Sequence, residues 1–213
     1  MKPFRNHIYF MTVTALCVFI AAGQVQAACT PQHTFGANGA LKNSKPDSIY
    51  TDNGDGTVTD NQTGLMWGKC AMPMQYGFLH SGASKKTCNS SSSEYNSWAN
   101  AMNAVDNANT NNHFGYDDWR LPNIKELASL ADLACNGSSF GGTGALNMDF
   151  FDLTTIKFVN GFPEPQYPSY LWSSSTNINV SSQVRMLSVY NGATVLRNKS
   201  GIGAAVMLVR DAD

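Results

Sequence analysis

The sequence predicts an α+β domain in which two helices pack against an antiparallel β-sheet. Two segments in the middle of the chain show helical periodicity, and the C-terminal third is rich in β-forming residues. The elements therefore run in the order strand, helix, helix and then strands. Segregated helices and strands are typical of α+β domains, whereas α/β folds alternate them.

The chain opens with a predicted secretory signal peptide over residues 1–27. Lys2 and Arg5 precede an apolar run at 8–22, and small residues precede the expected cleavage after Ala27. The apolar run is shorter than the roughly 20 residues of a membrane span, and no later segment is apolar enough to cross a bilayer. We therefore expect export to the periplasm, the outer-membrane surface or the medium.

Processing would leave a tail at 28–48 and a domain at 49–213. Acylation of Cys29, as in a lipoprotein, is the less favoured alternative because Gln26 stands where leucine is usual. The leader holds two of the 14 basic residues and none of the 15 acidic ones, so the remaining chain has a net charge of −3. That balance argues against a nucleic-acid partner, which usually calls for a basic surface.

Four cysteines remain after the leader: Cys29, Cys70, Cys88 and Cys135. An even number of cysteines in an exported chain predicts two disulfides, with three possible pairings. A bridge between Cys70 and Cys88 would close a segment without periodicity, and 71–92 is interpreted as a long loop. Loop closure therefore favours Cys70–Cys88 together with Cys29–Cys135.

The run "DNGDGTVTDNQTGLMW" at 52–67 raises the question of a calcium loop. An EF-hand loop needs oxygen ligands at its odd positions and an acidic residue at position 12. The best alignment places Thr51 at position 1 and Gln62 at position 12, so both acidic anchors are missing. We expect no strong calcium site, although an irregular one stays open with the ligands Asp52, Asp55 and Asp60.

A β-hairpin explains the same run better. "TVTD" and "LMW" are short β-rich segments, and "NQTG" between them is a turn that ends in glycine. The hairpin would direct Leu65 or Trp67 inward.

The two helices follow. The first is predicted at about 94–108 with Ser93 as N-cap, since four residues fall on one helical face: Tyr95, Trp98, Ala99 and Met102. The second is predicted to begin after Pro122, where Asn123 and Glu126 have the spacing of a capping box. Its buried face would comprise Leu127, Leu130, Ala131 and Ala134.

The C-terminal third predicts strands around Trp172, on both sides of Asn191-Gly192, and at 204–210. Asn-Gly is a strong signal for a two-residue type I′ hairpin. Such a turn would pair Tyr190 with Ala193, Ser188 with Val195 and Met186 with Arg197. It would turn Leu187, Val189 and Leu196 towards the core. The apolar run at 204–210 would be a central strand that is covered on both faces.

That hairpin also suggests a ligand site. Ser188, Tyr190 and Arg197 would lie together on its more exposed face, and tyrosine and arginine dominate binding hot spots. A solvated hairpin face is the alternative interpretation. We predict no catalytic residue, no metal ligand and no cofactor. Ser139 matches a nucleophile-elbow pattern but lacks the strand, helix and later histidine that this motif requires.

Three motifs together resemble one family. "DNGDGTVTDNQTGLMW", "GYDDWRLPNIKELASL" and "YLWSSS", followed by a final "VR", resemble the Lcl C-terminal domain family, named for the Legionella collagen-like protein. The resemblance covers about 49–211. It implies a C-type-lectin-like fold, in the broad group that includes the formylglycine-generating enzyme, with long loops and disulfides. The chain lacks the collagen-like repeat of the family's namesake, which would show glycine at every third position.

The shared residues are Trp67, Asp118, Trp119, Arg120, Pro122, Trp172 and Ser173. We expect the tryptophans to lie in the core, Arg120 to hold a carboxylate or backbone carbonyls, and the serines of "WSSS" to form hydrogen bonds between strand and loop. A ligand site at Arg120 is the alternative.

The resemblance implies an exported bacterial binding or adhesion module, whose partner would be a glycan or a surface protein. A structural subunit of a surface or pilus assembly and an enzyme of the formylglycine-generating group stay as alternatives. The enzyme would need free cysteines, and we expect all four to be bridged.

Overall fold

A computed structural model describes residues 44–72, 75–78, 86–89, 95–132, 145–146, 150–151, 170–189 and 191–213. The predicted leader and most of the tail lie outside the described residues, as do Cys29, Cys135 and Tyr190. In the described part of the chain, no helix is long and apolar enough to cross a membrane.

The first sheet joins the two ends of the described chain. It contains β1 (Tyr50–Asp52), β2 (Thr57–Asp60), β3 (Leu65–Gly68) and the last strand, β11 (Val209–Asp211). All neighbours are antiparallel, and β2 and β3 form the predicted hairpin with Val58 opposite Trp67. Trp67 is completely buried, and Leu65, two residues earlier, is partly buried against the same hydrophobic cluster.

The segment after β3 contains structure that the sequence did not predict. Within the predicted loop at 71–92, β4 (Gln75–Phe78) and β5 (Lys86–Asn89) pair as an antiparallel ribbon. The disulfide Cys70–Cys88 fastens this ribbon to the end of β3, with 5.5 Å between the two Cα atoms. The predicted bridge is therefore confirmed, but the prediction of a structureless loop was wrong. A two-stranded ribbon is marginally stable alone, and the disulfide supplies a connection to the core.

The first helix begins later than predicted. Tyr95 lies in a strand, β6 (Tyr95–Ser97), and α1 spans Trp98–Thr110. Ser97, not Ser93, is the N-cap, and its side chain accepts a hydrogen bond from the Asn100 backbone N–H at 3.2 Å. The buried face consists of the small residues Ala101, Ala104, Val105 and Ala108. They repeat at helical spacing and allow close packing on the sheet.

The second helix, α2 (Ile124–Ser129), begins as predicted. The Asn123 side chain accepts from the backbone N–H groups of Lys125 and Glu126, and the Glu126 carboxylate accepts from the Asn123 N–H at 2.8 Å. This reciprocal capping box determines where the helix starts.

The C-terminal sheet contains β7 (Tyr170–Thr176), β8 (Gln183–Ser188) and β9 (Thr194–Asn198), all antiparallel. A separate strand, β10 (Ser200–Ala204), pairs with β6. The predicted register of the β8–β9 hairpin was wrong: Met186 pairs with Val195, and Val184 pairs with Arg197. The connection is longer than two residues, because Ser188 donates its N–H to the Ala193 carbonyl and accepts from the Gly192 N–H.

The burial predicted for this hairpin was also wrong at two positions. Ser188 is buried, whereas Leu196 is 38% exposed. The face that carries Val184 and Met186 is not solvated, since it packs in a hydrophobic cluster with Ala101 and Val105 of α1. Leu187 on the opposite face is buried as predicted.

The run at 204–210 is buried as predicted but is not one continuous strand. It includes the last residue of β10, two single-residue bridges and the first part of β11. Alternate residues face two different hydrophobic clusters. Ala205, Met207 and Val209 belong to the first, and Ala204, Val206 and Leu208 belong to the second. The segment therefore runs between the two clusters, which explains its continuous apolar character.

Candidate functional site

Trp119 of the "DWRLP" motif belongs to the scaffold. It is 2% exposed, and its indole N–H donates to the His113 carbonyl at 2.7 Å. Its backbone N–H donates to the Asn109 side chain, which in turn donates to the Trp119 carbonyl. The two hydrogen bonds with Asn109 hold the segment after α1 against the last turn of that helix, and the bond to His113 lies within the segment itself.

Arg120 holds a carboxylate in a bidentate arrangement. Its guanidinium donates to both oxygens of Glu126, at 2.7 and 2.9 Å, and a longer contact of 3.4 Å reaches Asp211. The hydrogen bonds with Glu126 raise the pKa of Arg120 above its ordinary value. The backbone of Arg120 also pairs with Val209 of β11. Arg120 therefore links the start of α2 to the C-terminal strand.

Arg210 is a second structural arginine, which the sequence analysis did not single out. Its Nε donates to Asp118 at 2.7 Å, and another nitrogen donates to Asp213 at 3.0 Å. The guanidinium lies 4.3 Å from the ring centre of Tyr116. The hydrogen bond from Arg210 lowers the pKa of Asp118 below its ordinary value. The final "VR" of the family pattern was the signal that could have identified this residue.

The "YLWSSS" motif fastens β7 to its surroundings. The buried Trp172 donates its indole N–H to the Tyr95 carbonyl at 3.0 Å. The Ser173 hydroxyl donates to the Arg185 carbonyl, and Ser175 accepts from the N–H of Ile124 at the start of α2. These serines connect strand and loop, and the buried Pro122 likewise accepts from the Ser174 N–H.

The carboxylates of the possible calcium loop bind within their own turns. Asp55 accepts from the N–H and hydroxyl of Thr57, and Asp60 accepts from the N–H groups of Gln62 and Thr63. Asp52 forms an ion pair of 2.5 Å with Lys69. Across the described part of the chain, no group of three or more histidine, cysteine or acidic residues could hold a metal ion. The turns and the ion pair with Lys69 account for Asp52 and Asp55, whereas one oxygen of the buried Asp60 has no hydrogen-bond partner in the described structure.

A different surface brings cations and aromatic rings together. We call it the cation–aromatic surface and define it by Trp98, Tyr170, Arg197 and Lys199. The Arg197 guanidinium lies 5.1 Å from the ring centre of Tyr170 and donates to its hydroxyl at 2.9 Å. The Lys199 ammonium lies 4.7 Å from the ring centre of Trp98. Tyr170 lies in β7, Arg197 lies in β9, Lys199 lies between β9 and β10, and Trp98 begins α1.

The local structure positions each member of this surface. Trp98 is oriented by its indole N–H, which donates to the Ser173 carbonyl at 2.9 Å, while its backbone N–H donates to the Lys199 carbonyl. Arg197 faces the same side of the sheet as Val184, its partner on β8. All four residues are partly buried, so each keeps some surface in contact with solvent.

The predicted ligand site is only partly reproduced. Arg197 is half-buried and in contact with an aromatic ring, but the ring is that of Tyr170. Ser188 was expected on an exposed face, yet it is 2% exposed and its hydroxyl has no hydrogen-bond partner within the described structure. It is therefore not accessible to a ligand, and it lies on the face of β8 whose Val184 and Met186 belong to the second hydrophobic cluster.

The described structure is thus a mixed α+β domain with antiparallel sheets, one observed disulfide and a scaffold built from the shared motif residues. A model of the Lcl C-terminal domain family matches residues 56–210, and the chain belongs to that family. No curated protein matches the chain.

Proposed function

We propose that this protein is an exported bacterial binding module that recognises a glycan or a surface protein outside the cytoplasm. The observation that carries the proposal is the cation–aromatic surface. Two cations lie against two aromatic rings there, and neither cation forms a salt bridge with a carboxylate in the described structure.

The chemistry of this surface suits ligand recognition. A cation held over an aromatic face keeps part of its hydrogen-bonding capacity, and an exposed pair of this kind costs little to rearrange. Arg197 uses one nitrogen for the Tyr170 hydroxyl and another for the Leu196 carbonyl, so further N–H donors are available to ligand oxygens. Aromatic rings add apolar area next to these donors, and this combination is frequent in binding hot spots.

The observed disulfide supports the proposed location. Disulfides persist in oxidising compartments such as the periplasm and the cell exterior. Cys70–Cys88 is therefore consistent with the predicted leader. Cys29–Cys135 stays a prediction, and a thiol titration of the native protein would find a free cysteine if it is wrong.

We further propose that the fold is C-type-lectin-like. The support is the combination of two helices, antiparallel sheets and a disulfide-stapled ribbon, together with family membership. An experimental structure superposed on solved C-type lectins would test this proposal.

A glycan array probed with the purified exported protein, followed by binding to intact cells, tests the function. Arg197→Ala should weaken binding by about tenfold or more, as expected for a hot-spot arginine. Tyr170→Phe keeps the ring but loses the hydroxyl that orients Arg197, so it should have a smaller effect.

Arg185→Ala is the matched control. Arg185 is an exposed cation on the opposite face of the same sheet, so the substitution removes the same charge. Equal losses for Arg185→Ala and Arg197→Ala would point to a general charge effect and would remove the cation–aromatic surface as the binding site.

A further inference from the structure

The loop between β7 and β8, residues 177–182, presents apolar side chains to solvent. Ile178 is 96% exposed and Val180 is 42% exposed. With Leu196 of the adjacent β9, they are the exposed large hydrophobic residues of the described chain. All three therefore belong to one unit, the β7–β8–β9 sheet and its connecting loop.

This loop is held in place by its own hydrogen bonds. Asn177 donates its side-chain N–H to the Gln183 side chain at 2.8 Å and accepts from the Asn179 N–H at 3.1 Å. The backbone N–H of Gln183 donates to the Val180 carbonyl. These hydrogen bonds fix the conformation of the loop and satisfy the side chain of Asn177, whose burial would otherwise be costly.

The charged residues on either side of the loop in the sequence have one sign. Between residues 165 and 210 the sequence contains four basic residues and no aspartate or glutamate, although the whole chain has a net charge of −1. Arg210 is buried in its ion pairs, which leaves Arg185, Arg197 and Lys199 on or beside the sheet. Lys199 adjoins the loop directly, since its backbone N–H donates to the Ser182 carbonyl at 2.8 Å.

We propose that the 177–182 loop docks on a lipid surface that carries anionic headgroups, with Ile178 and Val180 entering the interface and the neighbouring cations facing the headgroups. Interfacial anchors combine exposed apolar side chains with lysine or arginine in this way. A side chain that is almost wholly exposed protrudes from its own protein, which suits a deformable lipid interface. A stable protein interface would need about 800 Å² on each partner, more than three scattered side chains provide.

Vesicle sedimentation tests this inference with the protein purified after export. The protein should sediment with vesicles of equimolar phosphatidylcholine and phosphatidylglycerol, should remain in solution with phosphatidylcholine alone, and should be released by salt. Ile178→Asp should reduce the bound fraction by about tenfold or more, because it removes the apolar side chain that enters the interface. Ile178→Trp should bind at least as well as the original protein, since tryptophan favours the interface.

Asn103→Asp is the matched control. It adds the same negative charge at an exposed position on α1 and should leave sedimentation unchanged. Melting temperatures of all variants verify that they fold. Substitutions of Ile178 should not change the melting temperature, because its side chain is exposed. Absence of sedimentation, equal sedimentation with both vesicle types, or full binding by Ile178→Asp would each overturn the proposal. Glycan binding that survives Ile178→Asp would show that lipid docking is separate from the proposed function.

Discussion

The structural arginines and the C-terminal sheet use their charges in opposite ways. Arg120 and Arg210 form salt bridges with four carboxylates, and two of these pairs, Arg120–Asp211 and Arg210–Asp118, join β11 to the segment before α2. In the C-terminal sheet, Arg197 and Lys199 lie against aromatic rings. The difference indicates that the first region uses charge to hold the fold, whereas the cations of the second contact aromatic rings and form no salt bridge with a carboxylate in the described structure.

The largest expected difference between the two regions is in the stability loss caused by a substitution to alanine. Trp119→Ala should lower the free energy of unfolding by about 3–5 kcal/mol, because it opens a cavity in the second hydrophobic cluster and removes the indole hydrogen bond. Leu196→Ala in the C-terminal sheet should change it by about 0.5 kcal/mol or less, since Leu196 is partly exposed. Urea denaturation of both variants measures the difference. Comparable losses would mean that the outer face of β9 is not a free surface.

A smaller difference in stability is expected between substitutions of Arg120 and of Arg197. Arg120→Ala should cost about 1 kcal/mol, because a partly exposed bidentate ion pair with the helix-capping Glu126 is lost. Arg120→Lys should recover only part of this lost stability, since a lysine ammonium cannot donate to both carboxylate oxygens in the bidentate geometry of a guanidinium. Arg197→Ala should stay within about 0.5 kcal/mol of the original protein while weakening ligand binding. A larger stability loss at Arg197 than at Arg120 would contradict the comparison.

The smallest expected effect is a pH dependence of stability that arises from His113, in the segment before Trp119. Burial lowers the pKa of His113 below its ordinary value of 6.5, and its Nε2 is buried without a hydrogen-bond partner in the described structure. The folded state thus favours neutral His113. Neutral His113 therefore makes its full contribution to the free energy of unfolding above pH 6.5. This contribution decreases as the pH falls from 6.5 towards the lowered pKa of His113 in the folded state.

Melting temperatures measured from about pH 8 to about pH 5 should reveal this loss, which lies in the range where histidine changes charge. His113→Phe keeps a ring beside Phe114, whose centre lies 4.0 Å from that of His113, and should flatten the profile. An unchanged slope in His113→Phe would assign the acid sensitivity to other groups.

Part of the candidate site could be predicted from the sequence. Arg197 was identified from its place in a β-hairpin, but its aromatic partner Tyr170 lies 27 positions earlier in the chain. Trp98 and Lys199 were missed because they belong to different predicted elements. The stretch without acidic residues at 165–210 was the signal that could have drawn attention to this sheet.

The sequence by itself determined the features that depend on neighbouring residues. The capping box at Asn123 and the hairpin that contains Trp67 each follow from short spacings with a direct physical cause, and loop closure favoured the Cys70–Cys88 bridge among three possible pairings. Family membership was predicted for a related reason, because several such local motifs occur in one order, and the family match confirms it.

Only the tertiary structure decided the strand register and the buried faces. Asn191-Gly192 favours a tight turn, but the length of the connection and the place of β8 in the second hydrophobic cluster determined which residues pair and which are covered. The same packing buried Ser188 and left Leu196 exposed. A strand buried on one side and a strand buried on both sides can share one local pattern, so the difference arises from the elements that pack against it.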